Sequence, residues 1–152
     1  NTKIHDKDKA EFTELSDKIC TGLQLINFAQ DIKEDAENNR CYIPKCEWPK
    51  SLKENNMISI LKLARENKNK LVMKLAVKGE QNLLTGSKLP KKIRKSNLRH
   101  ATRFSMEIAL IIECGKNIVQ QIKKDPYIVW NQPPKLETKR LPIFLYNAIL
   151  NI

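Results

Sequence analysis

The stretch QLINFAQDIKED, residues 24–35, begins apolar and ends acidic. On a helix turning about 100° per residue, with Asn27 set at zero, Gln24 falls near 60°, Asp31 near 40°, Asp35 near 80° and Glu34 near −20°. These five polar groups share a sector roughly 100° wide. Most other positions from Ile19 to Ala36 are apolar or small, and residues 19–30 carry no charge. A surface helix has the opposite pattern, a narrow apolar stripe and a broad polar face. This one is expected to be buried on most sides and to turn its polar stripe toward an internal wet space.

Charged groups are seldom buried without partners. Asp31 and Asp35 are also like charges one turn apart, which disfavours the helix by a few tenths of a kcal/mol. A cation between them would remove that cost. Asn27, Asp31 and Asp35 offer oxygen donors only, which suits Mg²⁺ or Mn²⁺ better than zinc. Mg²⁺ typically keeps waters and bridges a few carboxylates to substrate phosphates. Asp-x-x-x-Asp alone is a short motif, and a solvated acidic helix end is the competing reading.

The 152 residues suffice for one domain with a core, and 41% hydrophobic with 30% charged residues is a globular composition. No apolar run reaches the roughly 18 residues of a membrane span, and the polar start NTKIHDKDKAEF is no signal peptide. A cytoplasmic chain is expected, with peripheral contact to the inner membrane as a further expectation. Cys20, Cys41, Cys46 and Cys114 read as reduced thiols; Cys41 and Cys46 lack a second ligand pair for zinc.

The net charge is +11. Nucleic acid, an anionic membrane surface and an anionic small substrate are the candidate partners. The densest basic run, KKIRKSNLRHATR (91–103), has only Phe104 beside it. Nucleic-acid modules add interleaved aromatics or a motif, so no nucleic-acid partner is expected. Lys91, Lys92, Arg94 and Lys95 would instead steer the chain toward anionic headgroups, against the plainer reading of a solvated face. The terminal RLPIFLYNAILNI is the one candidate for an amphipathic anchor, and core packing is the reading preferred for it.

Helices are predicted over 10–38, 57–82, 97–124 and 137–150. Asn38 and Asn39 end the first, Asp125-Pro126 the third. RCYIPKCEWPK (40–50) is an irregular connector with Ser51 and Asn56 as caps beyond it, TGSKLP (85–90) a break, and NQPPK (131–135) an extended link. Period-2 alternation is absent, so the fold class is all-α.

The longer string QLINFAQDIKEDAENNRCYIP (24–44) resembles the second aspartate-rich region of the squalene/phytoene synthase family. The shared pattern is Gln24, Asn27, Asp31, Asp35, then Arg40, Tyr42 and Pro44. SDKICTGLQL (16–25) and EIALIIECGKNIV (107–119), with the basic run before it, are also similar. Gln30 departs from the Arg often found before the first Asp. INFAQD and the short tail look most like the bacterial hopanoid-pathway branch, and there most like the enzyme converting presqualene diphosphate to hydroxysqualene.

This resemblance implies an isoprenoid-synthase bundle around a deep apolar cavity. Asn27, Asp31 and Asp35 would bind Mg²⁺, with Mn²⁺ as its substitute, and through it the diphosphate of farnesyl or presqualene diphosphate. Asp31 and Asp35 would thereby be the catalytic acids. Gln24, Arg40 and Tyr42 would contact substrate, the last two by closing over the diphosphate; helix-end charge and loop packing are their plainer readings. The family carries a second such motif on a facing helix, and these residues hold none. Residues 1–152 are therefore expected to form one partial domain, the C-terminal half, inactive alone, with the N-terminal half as a separate chain or missing. The rivals are presqualene diphosphate, phytoene or dehydrosqualene synthesis, and a non-enzymatic scaffold relative.

Overall fold

The computed structural model describes residues 6–49, 57–96 and 98–152. Its helices are α1 (Asp6–Gln30), α2 (Ile32–Glu37), α3 (Ile58–Leu61), α4 (Arg65–Gly86), α5 (Leu89–Lys95), α6 (Ala101–Lys124), α7 (Ile128–Asn131) and α8 (Leu141–Leu150). Short 3₁₀ turns occupy Lys45–Glu47 and Thr138–Arg140. No strand occurs among the described residues, so the all-α class holds.

α1 and α4 run antiparallel in close contact, because glycines face each other across the interface. A Cβ added to Gly22 would stand 2.8 Å from the Gly79 carbonyl oxygen, and one added to Gly79 would stand 2.9 Å from that of Gly22. One end of the pair repeats the device, where a Cβ on Gly86 would meet Ile19 and the Leu15 carbonyl. α6 lies against both helices at Gly115, whose added Cβ would reach Leu83 of α4 and Leu23 of α1. The core thus formed includes Ile26, Leu75, Leu83, Ile112, Val119 and Ile122, all buried.

Four helix boundaries differ from the sequence expectation. The predicted 10–38 helix is interrupted at Asp31, whose φ −95°, ψ 5° sits in the sparsely allowed bridge region. The bonds Asp31 N–H to Asn27 C=O and Asp35 N–H to Asp31 C=O, both 2.9 Å, straddle the interruption. The chain bends there and keeps its one-turn spacing. The predicted 57–82 helix is split at Lys62–Ala64, where α3 ends in i→i+3 bonds and Ala64 turns extended at ψ 147°. The expected break at 85–90 shrinks to Ser87 and Lys88, because Pro90 sits in the first turn of α5, where a missing N–H costs nothing. The last helix begins at Leu141, after the 3₁₀ turn. The expected caps Ser51 and Asn56 lie outside the described residues.

The stops at Asn38-Asn39 and Asp125 are as read. Asn39 has φ 51°. Its N–H bonds the Ala36 carbonyl at 3.2 Å, and the Arg40 N–H bonds that of Asp35 at 2.8 Å. This is a Schellman motif with Asn at its left-handed position. Asn39→Val is expected to cost about 1–2 kcal/mol, and Asn39→Gly to be neutral or slightly stabilising, as urea denaturation midpoints will show.

The 40–49 connector is tied down at two points. Trp48 Nε1–H donates to the Ile43 carbonyl at 3.0 Å. The buried Glu47 carboxylate meets Lys74 at 2.7 Å and Lys78 at 2.5 Å, and those two contacts hold it below the usual carboxylate range.

One expectation fails outright. The terminal segment is not core packing: in α8 only Phe144 and Ala148 are buried. At about 100° per residue these two share the face toward α6, and the other side of the helix is left open.

Candidate functional site

α1 carries Gln24 and Asn27 on its exposed side, Asp31 is half-buried at the bend, and Asp35 is 6% exposed. The stripe therefore runs from solvent into the protein, rather than along a helix buried on most sides. Burial of Asp35 follows from its neighbours, since Ile32 and Ala36 of α2 are fully buried against α3 and α7.

The Schellman turn returns the chain toward α2, and this places the Arg40 guanidinium on the acids. Arg40 Nε–H donates to Asp35 Oδ1 at 3.1 Å, and its Nη2–H to Glu34 Oε1 at 3.1 Å. Asp35 is thus the paired acid. Asp31 is the acid short of positive charge. Burial first, then the Asp35 and Glu34 charges, push its carboxyl above the ordinary value; a hydrogen bond with the Asn27 side chain and the charge of Arg40 act the other way. Tyr42 folds back over α1 and stacks on Phe28, ring centroids 5.7 Å apart and 5° from parallel.

Beside this cluster lies an apolar groove of about 420 Å³ between α1 and α6. Leu23 and Ile26 form one wall, Leu110, Ile111 and Ile118 the other, and Leu136 overhangs it. Asn27 and Gln30 belong to its lining, so the groove reaches the residue next to Asp31 in the chain. Its volume lies in the range of small-molecule sites. Of the six residues singled out in the sequence, Asn27, Asp31, Asp35 and Arg40 form one chain of contacts. Tyr42 flanks it through Phe28, and Gln24 lies on the exposed helix face outside the groove lining.

Two participants escaped the sequence reading. Gln30 Nε2–H donates to the Pro134 carbonyl at 2.5 Å, which pins the 132–137 link to α1 beside the groove. Gln30 stood out in the sequence only as a departure from Arg. Glu34 was counted in the polar stripe without a role; it is the second acceptor of Arg40.

The family model for squalene/phytoene synthase matches residues 1–141. The chain belongs to the squalene/phytoene synthase family. No curated protein and no solved structure matches it. As a squalene/phytoene synthase family member it is of the head-to-head prenyl diphosphate synthase type, and its helical architecture agrees. No described helix is long and apolar enough to cross a membrane.

Among the described residues no three His, Cys, Asp or Glu side chains gather closely enough to cage an ion. Asn27, Asp31 and Asp35 give two carboxylates and an amide on successive turns. That is too few for a structural site, and it fits Mg²⁺, which retains waters and takes phosphate oxygens as its remaining ligands.

Proposed function

We propose that the chain, together with a polypeptide that supplies a facing acid pair, converts presqualene diphosphate to hydroxysqualene, with Asn27, Asp31 and Asp35 holding Mg²⁺ against the diphosphate. The observation that carries this reading is the apolar groove whose lining runs through Asn27 to Gln30, next in the chain to the charge-deficient Asp31. A prenyl diphosphate has that shape: a hydrocarbon chain joined to a polyanion. Mg²⁺, when bound, supplies Lewis acidity to the leaving diphosphate.

The chain's own residues do the rest. The leucine and isoleucine walls seat the hydrocarbon and keep water from the first-formed carbocation until it has rearranged, when one water adds its oxygen to the rearranged carbon and gives up a proton. Asn27 orients the Asp31 carboxylate by hydrogen bonding. Arg40, held on Asp35 and Glu34, stands where it can pass from those acids to the diphosphate oxygens, a bidentate match. Tyr42, stacked on Phe28, fixes the loop that brings Arg40 there. Overall, presqualene diphosphate and water give hydroxysqualene and inorganic diphosphate.

The 152 residues hold one Asp-x-x-x-Asp pair. Turnover on this reading needs a facing pair from outside them. Assayed with Mg²⁺ and a polypeptide carrying such a pair, the chain is expected to yield hydroxysqualene from presqualene diphosphate. Assayed alone it is expected to bind without turnover. Product from farnesyl or geranylgeranyl diphosphate but none from presqualene diphosphate would overturn this substrate choice.

A further inference from the structure

α8 has the wrong outside for a helix facing water. Phe144 and Ala148 point inward, and Tyr146 and Leu150 lie on the opposite side at about 100° per residue. Tyr146 is 63% exposed, Leu150 67%, Ile143 54% and Ile149 52%. Between Pro142 and Leu150 the only strongly polar side chain is Asn147. Soluble proteins rarely leave such contiguous apolar surface unless it meets something.

The charges around it say what. No acid occurs from Thr138 to Ile152. Lys139 and Arg140, both exposed, stand at the start of the helix. At its other end Arg94 Nη1–H donates to the Ile152 carbonyl at 3.0 Å, which brings the basic helix α5 alongside, with Lys91 and Lys95 exposed. The acids that adjoin it, Glu107 beside Leu145 and Glu113 beside Asn151, are paired with Arg103 and Lys116, so the apolar face is flanked by cations in excess, complementary to an anionic lipid surface, where acyl chains lie beneath phosphate. A protein partner would need an acidic rim around an apolar groove; a membrane offers both features without design.

We propose that α8 is an interfacial helix, which seats the chain on an anionic phospholipid bilayer by inserting Ile143, Tyr146, Ile149 and Leu150 while Lys139, Arg140 and α5 contact headgroups. α8 lies almost wholly beyond the residues matched by the family model. The helix sits against α6, one wall of the apolar groove. An apolar substrate could thus pass from bilayer to groove over a short path.

Flotation with vesicles of phosphatidylcholine, and of equal parts phosphatidylcholine and phosphatidylglycerol, tests this without any enzyme assay. The chain is expected to float with the mixed vesicles and weakly or not at all with the neutral ones. Tyr146→Ser with Leu150→Ser should lower vesicle affinity by at least about 100-fold, roughly tenfold per side chain withdrawn from the bilayer. Lys139→Glu with Arg140→Glu should lower it by at least about tenfold, and added salt should act in the same direction. Both pairs point outward, so helicity by circular dichroism should be unchanged. A second variant, Tyr146→Trp, keeps the face apolar; its fluorescence, after subtraction of the parent spectrum, should be quenched by brominated acyl chains. Unchanged flotation of the serine variant, or an unquenched Tyr146→Trp, overturns the proposal. So does a parent chain that sediments as a dimer and a serine variant that sediments as a monomer with equal vesicle affinity, which would make α8 a contact between copies.

Discussion

Asp31→Asn and Asp35→Asn are each expected to abolish Mg²⁺-dependent capture of a prenyl diphosphate, lowering affinity by at least about 100-fold. Loss of a group that merely supports a metal ligand costs 10–100-fold, and loss of a ligand itself costs no less. The two variants should differ without metal. Asp31→Asn removes a like charge one turn from Asp35, so the metal-free chain should be as stable as the parent or more so by about 0.2–0.5 kcal/mol. Asp35→Asn takes from Arg40 its buried partner and leaves it Glu34 alone, so that variant should be destabilised. Thermal melts with and without Mg²⁺ and a non-ionising prenyl thiodiphosphate read both effects: the ligand-induced rise in Tm disappears in each variant.

The same acid sets a pH dependence. The folded Asp31 carboxyl titrates above its ordinary value of 3.8, so folding takes up a proton between that value and the raised one. Within this window stability contributed by Asp31 is present at the lower pH and declines as pH rises through the folded pKa. Metal capture needs the carboxylate, so the Mg²⁺-dependent rise in Tm should show the opposite trend and fade on acidification earlier than an unperturbed Asp would allow. In Asp31→Asn both trends should be absent.

Gly79→Val should be among the most damaging single substitutions in the core. Even a Cβ at this position would stand 2.7 Å from Ile26 Cγ1 and 2.9 Å from the Gly22 carbonyl oxygen. The side chain of Ile26 can shift, but the backbone of Gly22 moves only with α1. Overpacking of this kind costs about 1–3 kcal/mol for added methylenes in a full core, and an immovable backbone places valine at or above the top of that range. Gly79→Ala should cost less, since alanine's better helix propensity returns about 1 kcal/mol. Ile26 lines the groove and Asn27 follows it, so displacement of α1 should weaken diphosphate capture as well as stability. Urea unfolding and ligand binding on Gly79→Ala, which is expected to fold, measure the two together.

The helical class, the stops at Asn38-Asn39 and Asp125-Pro126, and the stripe of Asn27, Asp31 and Asp35 could be read in the chain because each depends on local chemistry. Periodicity, a left-handed asparagine and a pre-proline residue act within one turn of themselves. The bend at Asp31 could not be read, since neither Gly nor Pro marks it. The split at Lys62–Ala64 lacks such a marker too. TGSKLP misled in the other direction, because its proline falls in a first turn that tolerates it. The pairing of Arg40 with Asp35 and Glu34 could not be read from spacing, since it follows from the Schellman turn that returns the chain toward the acids. Nor could the role of Gln30, because its partner Pro134 lies 104 residues away in the chain. α8 was misread for a related reason: hydrophobicity on every side suggests burial, and only packing shows that one side alone is covered.

On the proposed function one cation sits at Asp31 and Asp35, and the hydrocarbon chain of the substrate leads from it along α1 and α6. Mn²⁺ in place of Mg²⁺ locates both in a single experiment. With a prenyl thiodiphosphate present, Mn²⁺ should broaden the backbone resonances of Asn27, Asp31 and Asp35, while methyl resonances of Leu23, Leu110 and Ile111 shift on binding of the chain. Broadening centred on another acid, such as Glu47 or Glu113, or groove methyls that stay in place while the diphosphate binds, would contradict the account.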